Sequence, residues 1–97
     1  MKLLLKQDEI SPASKNQALL KAAENGREGI VKLLVEQDDV DINSKDGVGK
    51  TPLSWAAKKG RTEVVRLLLT ESGININSKD GAGKTPLSWA AEEGHTE

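Results

Sequence analysis

One seven-residue phrase occurs twice in this chain. Thr51-Pro52-Leu53-Ser54-Trp55-Ala56-Ala57 returns unchanged as Thr85-Pro86-Leu87-Ser88-Trp89-Ala90-Ala91, 34 residues later. An eroded copy, Gln17-Ala18-Leu19-Leu20-Lys21-Ala22-Ala23, keeps the Leu and the Ala pair at the same interval upstream. A fixed period of this size marks a repeat architecture, in which each unit is one supersecondary element that cannot cover its apolar face alone. A chain of 97 residues has room for about three such units, so it is one domain built by stacking.

Aligning the copies brings the rest of each unit into line. Gly26, Gly60 and Gly94 follow each Ala pair by three residues. Apolar runs come next, Ile30-Val31 with Leu33-Leu34-Val35, then Val64-Val65 with Leu67-Leu68-Leu69. Each unit thus reads as helix, Gly break, helix and an Asn/Asp/Gly-rich excursion. Thr51 and Thr85 suit the helix cap, and Pro52 and Pro86 the first helical position, where a missing N–H costs nothing. Leu53, Ala56 and Ala57 share one helical face, and the small Ala pair lets neighbouring helices approach closely. Gly60 supplies the left-handed residue that ends the short helix. The spacing of Val64, Val65, Leu67, Leu68 and Leu69 predicts a second helix over roughly residues 62–70.

Asp46-Gly47-Val48-Gly49 and Asp80-Gly81-Ala82-Gly83 are turn sequences flanked by short arms, and are read as projecting β-hairpin fingers. The ends fall inside units. Leu3-Leu4-Leu5 matches the close of a second helix, and residues 6–16 form a shortened connector without the Asp-Gly finger. Gly94-His95-Thr96-Glu97 matches Gly60-Arg61-Thr62-Glu63, so the last second helix is cut at its first turn. The expected division is therefore 1–15 (end of a preceding unit and connector), 16–45, 46–79 and a truncated unit over 80–97, as in a piece of a longer array.

These residues resemble the ankyrin repeat, a ∼33-residue unit of β-turn and two helices carrying T-P-L-H-x-A. Ser54 and Ser88 stand where His is usual, and the likeness extends through Lys45-Asp46-Gly47-Val48-Gly49-Lys50, Gly60 and Val64-Val65-Arg66-Leu67-Leu68. The additional residue is placed in the connector over residues 36–41. The tetratricopeptide unit is 34 residues long, but it is helix–turn–helix without a Gly-rich finger or Thr-Pro-Leu cap. The resemblance implies an all-α ankyrin-repeat solenoid of stacked helix-turn-helix units with short β-hairpin fingers. It also implies a non-catalytic scaffold that binds a partner protein on the finger tips and the concave inner-helix surface. Carried over position by position, that surface comprises Lys21, Glu24 and Asn25 in the first unit. The second offers Gly47, Val48, Lys50, Trp55, Lys58 and Lys59, and the third Gly81, Ala82, Lys84, Trp89, Glu92 and Glu93.

Composition narrows the chemistry. With 36% hydrophobic residues, two Trp and no Phe or Tyr, the core must be built from Leu, Val, Ile and Ala. A net charge of −1 provides no basic field for nucleic acid or an anionic membrane, so another protein is the expected partner. The absence of Cys excludes disulfides and thiol chemistry and suits an intracellular, cytoplasmic setting, with the nucleus left open. The apolar run of three near the N-terminus is too short for a signal peptide or a membrane span.

No cofactor, metal or catalytic constellation is expected. Gly49-Lys50-Thr51 and Gly83-Lys84-Thr85 mimic the close of a phosphate-binding loop, but Ser44 or Ser78 occupies the first Gly position and no apolar strand precedes it. These triplets read as turn plus helix cap. His95 is a lone histidine in a column held by Arg27 and Arg61, with no ligand partners at metal spacing. Ser54 and Ser88 lack a positioned base and are expected to hydrogen-bond locally. Trp55 and Trp89 share a column with Lys21, which points to partial exposure. They can anchor a partner or pack against the neighbouring helix and finger, and the two roles are compatible. Alternating charge at Glu24-Asn25, Lys58-Lys59 and Glu92-Glu93 allows cross-unit pairs of about 0–1 kcal/mol each. A second role open to such an array is a spacer or regulatory segment of a larger signalling protein. Uncovered terminal units further predict self-association of the isolated piece.

Overall fold

The computed structural model describes residues 12–94. Five helices follow one another there: α1 (Pro12–Asn25), α2 (Glu28–Val35), α3 (Pro52–Lys59), α4 (Thr62–Leu69) and α5 (Pro86–Glu92). Helices α1, α3 and α5 stack side by side as an inner row, and α2 and α4 form an outer row behind them. The stack is elongated, 49 × 24 × 24 Å.

The caps form as their residues require. Thr51 and Thr85 are extended (φ −91° and −95°), and each Oγ1 accepts the N–H of the residue three on, Ser54 or Ser88, at 3.2 Å. The serine hydroxyls close the same local contact with the threonines. At the far end of α3, Gly60 adopts φ 71°, and the N–H of Arg61 reaches back to the Ala56 carbonyl at 2.8 Å. Gly26 ends α1 in the same way, with Arg27 N–H donating to Ala22 O at 2.9 Å. This left-handed cap absorbs carbonyls that a helix end leaves without partners.

The core runs along the seam between the two rows. Leu19, Ala22, Ala23, Val31, Leu53, Ala56, Val64 and Leu68 form one buried cluster, with Leu34, Val35, Val40, Ile42, Val65, Leu67 and Ile74 packed around it. Each fully buried Leu or Val contributes about 1.5–3 kcal/mol. The inner row supplies mainly Leu and Ala and the outer row Val and Leu, as a core without aromatics must be built. Position in the stack controls burial. Leu53, between two neighbours, is 3% exposed, whereas Leu87 in the same column of α5 is 77% exposed.

Polar contacts set the register between units. Lys15, buried in α1, reaches Asp39 and Gln37 in the following connector. Asn16 Oδ1 accepts the N–H of Asp41 at 2.7 Å. Asn43 bridges to the next connector twice, donating to Gly73 O at 2.9 Å and accepting from Asn75 N–H at 2.8 Å.

Two expectations differ from the structure. Helix α1 begins at Pro12, six residues before Ala18, the position that aligns with Pro52. Residues 12–16 of the presumed connector are therefore helical. The first unit has no Thr-Pro pair to fix the helix start at Ala18, and Pro12 supplies an earlier first turn. The fingers are tight turns, and no strand is found among the described residues. Asp46 N–H donates to Lys50 O and Gly49 N–H to Asp46 O, both at 3.0 Å, while the Asp46 carboxylate takes the N–H groups of Val48 and Lys50. A carboxylate that captures those donors leaves them unable to form a ladder. The expected readings of Leu3-Leu4-Leu5, of residues 6–11, of His95 and of the cut final helix lie outside the described residues.

Candidate functional site

Each finger is tied to the inner helix that follows it by an Asp–Trp pair. Asp46 and Trp55 are nine residues apart in sequence, and the indole Nε1–H donates to Asp46 Oδ2 at 2.6 Å. The pair Asp80 and Trp89 repeats this separation and distance. The other carboxylate oxygen holds the turn: Asp80 Oδ1 accepts from Ala82 N–H at 2.9 Å and Lys84 N–H at 3.0 Å. One aspartate thus fixes both the finger's shape and its attachment to the helix.

Between the two indoles lies Lys50. Its ammonium is 5.3 Å from the centre of the Trp55 ring, 4.5 Å from that of Trp89 and 3.5 Å from Asp80 Oδ2. Lys58 and Lys84 approach the Trp89 ring to 5.1 and 5.3 Å. Contacts of this kind contribute about 0.5–2 kcal/mol each, more as water is excluded. Lys50 is only 9% exposed, and the Asp80 side chain has no exposed surface. The pair is bound on all sides: the carboxylate has four partners, and the ammonium lies against two rings.

The carboxylates respond accordingly. Burial alone would raise the Asp80 pKa. The N–H of Lys84, the Trp89 indole, the N–H of Ala82 and the Lys50 ammonium outweigh that and lower it from 3.8 to about 2. Asp46 is subject to the same opposition. Burial is overcome by the N–H groups of Lys50 and Val48, the Trp55 indole and the Lys50 charge, and its pKa is also lowered.

The fingers are joined tip to tip. Gly81 N–H donates to Val48 O at 2.9 Å, and Lys45 Nζ donates to Lys79 O at 3.2 Å. Gly49 makes the close approach possible. It holds φ +82°, and a Cβ there would stand 2.7 Å from Gly81 N.

The structure thus gathers the candidate residues along the inner row and finger tips, in different states. Gly47, Val48, Gly81 and Ala82 are exposed at the tips, and Lys21, Asn25, Lys59, Glu92 and Glu93 are exposed on the helices. Glu24, Trp55, Lys58, Lys84 and Trp89 are half-buried, and Lys50 is buried. Lys58 pairs with Glu93 at 4.0 Å across units, Lys84 with Glu92 within the third, and Lys21 with Glu24 at 3.8 Å within the first. Among the described residues the alternating charge thus brings Lys58 to Glu93 across the unit boundary. Gly49-Lys50-Thr51 is committed to structure, since Lys50 points to Asp80 and Thr51 caps α3. Residue-by-residue inspection missed Asp46 and Asp80 as the centres of this surface. Their signal was available: an Asp and a Trp nine residues apart, twice.

The comparisons accord with this architecture. A family model described as ankyrin repeats (3 copies) matches residues 1–80 and again residues 39–97. A search of curated proteins finds no match.

Proposed function

The chain belongs to the ankyrin-repeat family, and on that premise we propose that it is a non-catalytic scaffold that holds a partner protein against its finger tips and inner-helix surface. Ankyrin repeats are generally protein–protein interaction modules. The observation that carries the reading is the finger pair. Val48 is 55% exposed at its tip, yet its carbonyl is bonded to the next finger and its turn is pinned by Asp46 and Trp55. A surface ordered before the partner arrives avoids the conformational cost of binding.

The partner is a protein segment and not a nucleic acid or membrane, which the mixed charge of the surface supports. Among the described residues no helix is long and apolar enough to cross a membrane. The binding residues are the tips together with Lys59 and the partly exposed Trp55 and Trp89. The indoles support the fingers as well as presenting a ring edge, so replacing them would confuse folding with binding.

The test therefore uses the tips. Val48→Asp combined with Ala82→Asp should abolish capture of the partner while leaving the unfolding transition in place. Lys32→Glu, on the exposed side of the outer row, should capture normally. Equal capture by all three proteins would refute the assignment of the surface.

A further inference from the structure

The ladder of rings and ammonium groups has one rung missing. Between the second and third units Lys50 fills the space beside Trp89, paired with Asp80, and Lys58 flanks the same ring. One unit earlier the corresponding positions, 34 residues back, hold Asn16 and Glu24. Asn16 is engaged with the backbone of Asp41. Among the described residues no lysine of the first unit stacks on Trp55 or pairs with Asp46. The side of Trp55 turned toward α1 instead lines an open notch of about 440 Å³ with Gln17, Leu20, Lys21, Glu24 and Asp46. Asp46 and Trp55 keep the mutual geometry of Asp80 and Trp89, with the same 2.6 Å bond. The chain therefore presents twice a seat for a cation and fills it once.

We infer that this notch receives a lysine or arginine side chain of the partner protein, set between the Trp55 ring and the Asp46 and Glu24 carboxylates as Lys50 is set between Trp89 and Asp80. The occupant is a cation because the internal counterpart takes one and because Glu24 replaces Lys58 at the rim, which adds negative charge where the filled seat has positive. An arginine fits the same site through guanidinium stacking on the indole. Lys21 also lines the notch and is paired with Glu24 at 3.8 Å. This deepens the scaffold reading and rests on it, since it supplies the chemistry by which a segment would be chosen.

The probe is a short capped peptide, Gly-Gly-Lys-Gly-Gly, with its arginine and norleucine counterparts, added to the 97-residue chain at low ionic strength. The two tryptophans give two indole N–H signals in a proton–nitrogen spectrum, assigned with Trp55→Phe. The lysine and arginine peptides should move the Trp55 signal in a saturable way and leave that of Trp89 nearly still. Norleucine, of similar shape without charge, should bind about tenfold more weakly. Glu24→Lys, which supplies the missing cation from within, should remove the response. It does so without touching a helix cap, and the Glu24 carbonyl that accepts from Arg61 is retained.

Equal movement of both indoles, or equal response to lysine and norleucine, overturns the notch. It leaves the scaffold reading standing on its own finger-tip test. A response that emerges only in Lys2→Ala/Lys6→Ala assigns the seat to the chain's own N-terminal segment and likewise overturns the partner lysine.

Discussion

Changing Asp80 to Asn should destabilise the protein at neutral pH and make no difference in strong acid. The side chain keeps its shape and can retain an oxygen for the N–H groups of Ala82 and Lys84, at 2.9 and 3.0 Å. The new amide NH2 then faces two donors, the Trp89 indole and the Lys50 ammonium, where a carboxylate oxygen had accepted both. The magnitude follows from the titration. The carboxyl pKa falls from 3.8 to about 2 on folding, and each tenfold change in an ionisation constant corresponds to about 1.4 kcal/mol. The bonds to Ala82 and Lys84 that asparagine retains return part of this, which leaves on the order of 1–2 kcal/mol. Because the folded pKa is depressed, the contribution is fully present above about pH 4 and is lost as pH falls through about 2. Urea unfolding followed by tryptophan fluorescence at pH 7, 4 and 2 measures it. The midpoint of Asp80→Asn should lie roughly 1 M below that of the parent at pH 7, and the two should converge toward pH 2. Other carboxylates titrate equally in both proteins and cancel in the difference. A gap that stays constant from pH 7 to 2, or none at pH 7, would refute the claim that this carboxylate acts as an ion within the fold.

Two further perturbations test the stack. Gly49→Ala places a Cβ against the next finger at a left-handed residue and should cost roughly 2–3 kcal/mol, whereas Gly47→Ala, with nothing within 4 Å, should stay within about 0.5 kcal/mol; chemical denaturation of the pair separates finger docking from a general intolerance of alanine. Leu87 is 77% exposed, and Ala90, three residues on in α5, lines a groove of about 130 Å³ with Ala56, Val65 and Leu69, so the chain should self-associate with rising concentration in sedimentation equilibrium, and Leu87→Lys should reduce that; a robust monomer at high concentration contradicts it.

Much of the fold was legible because its instructions are local. A threonine hydroxyl, the proline after it and the glycine that ends the helix act within a few residues, so α3, α4 and α5 could be placed from the chain alone. The start of α1 was not, because Gln17-Ala18 carries no such punctuation and the helix extends to Pro12 instead. The turn residues predict hairpin fingers, yet the aspartate that favours the turn also captures the N–H groups a ladder would use. The surface was legible in membership and not in wiring. From the sequence Lys50 is a docking residue beside the tip, but its ammonium meets Asp80, thirty positions on, inside a stack formed only when two units meet. No helical or strand periodicity reports a contact across a unit boundary. The repeated interval of nine between Asp and Trp is the one linear trace of it.

Asn43, clasping the following connector with both ends of its amide, and the carbonyl of Val48, received by Gly81, together make a coupling of nearly generic parts. Only one side chain is specified, and Asn77 stands at the matching place one period on. Such a joint is indifferent to what lies beyond its immediate neighbour. An insertion of one whole period would therefore leave this clasp intact, while one residue more or less within a connector would misalign it. Length can be edited in whole units, and the reach of the protein changed without redesigning this clasp.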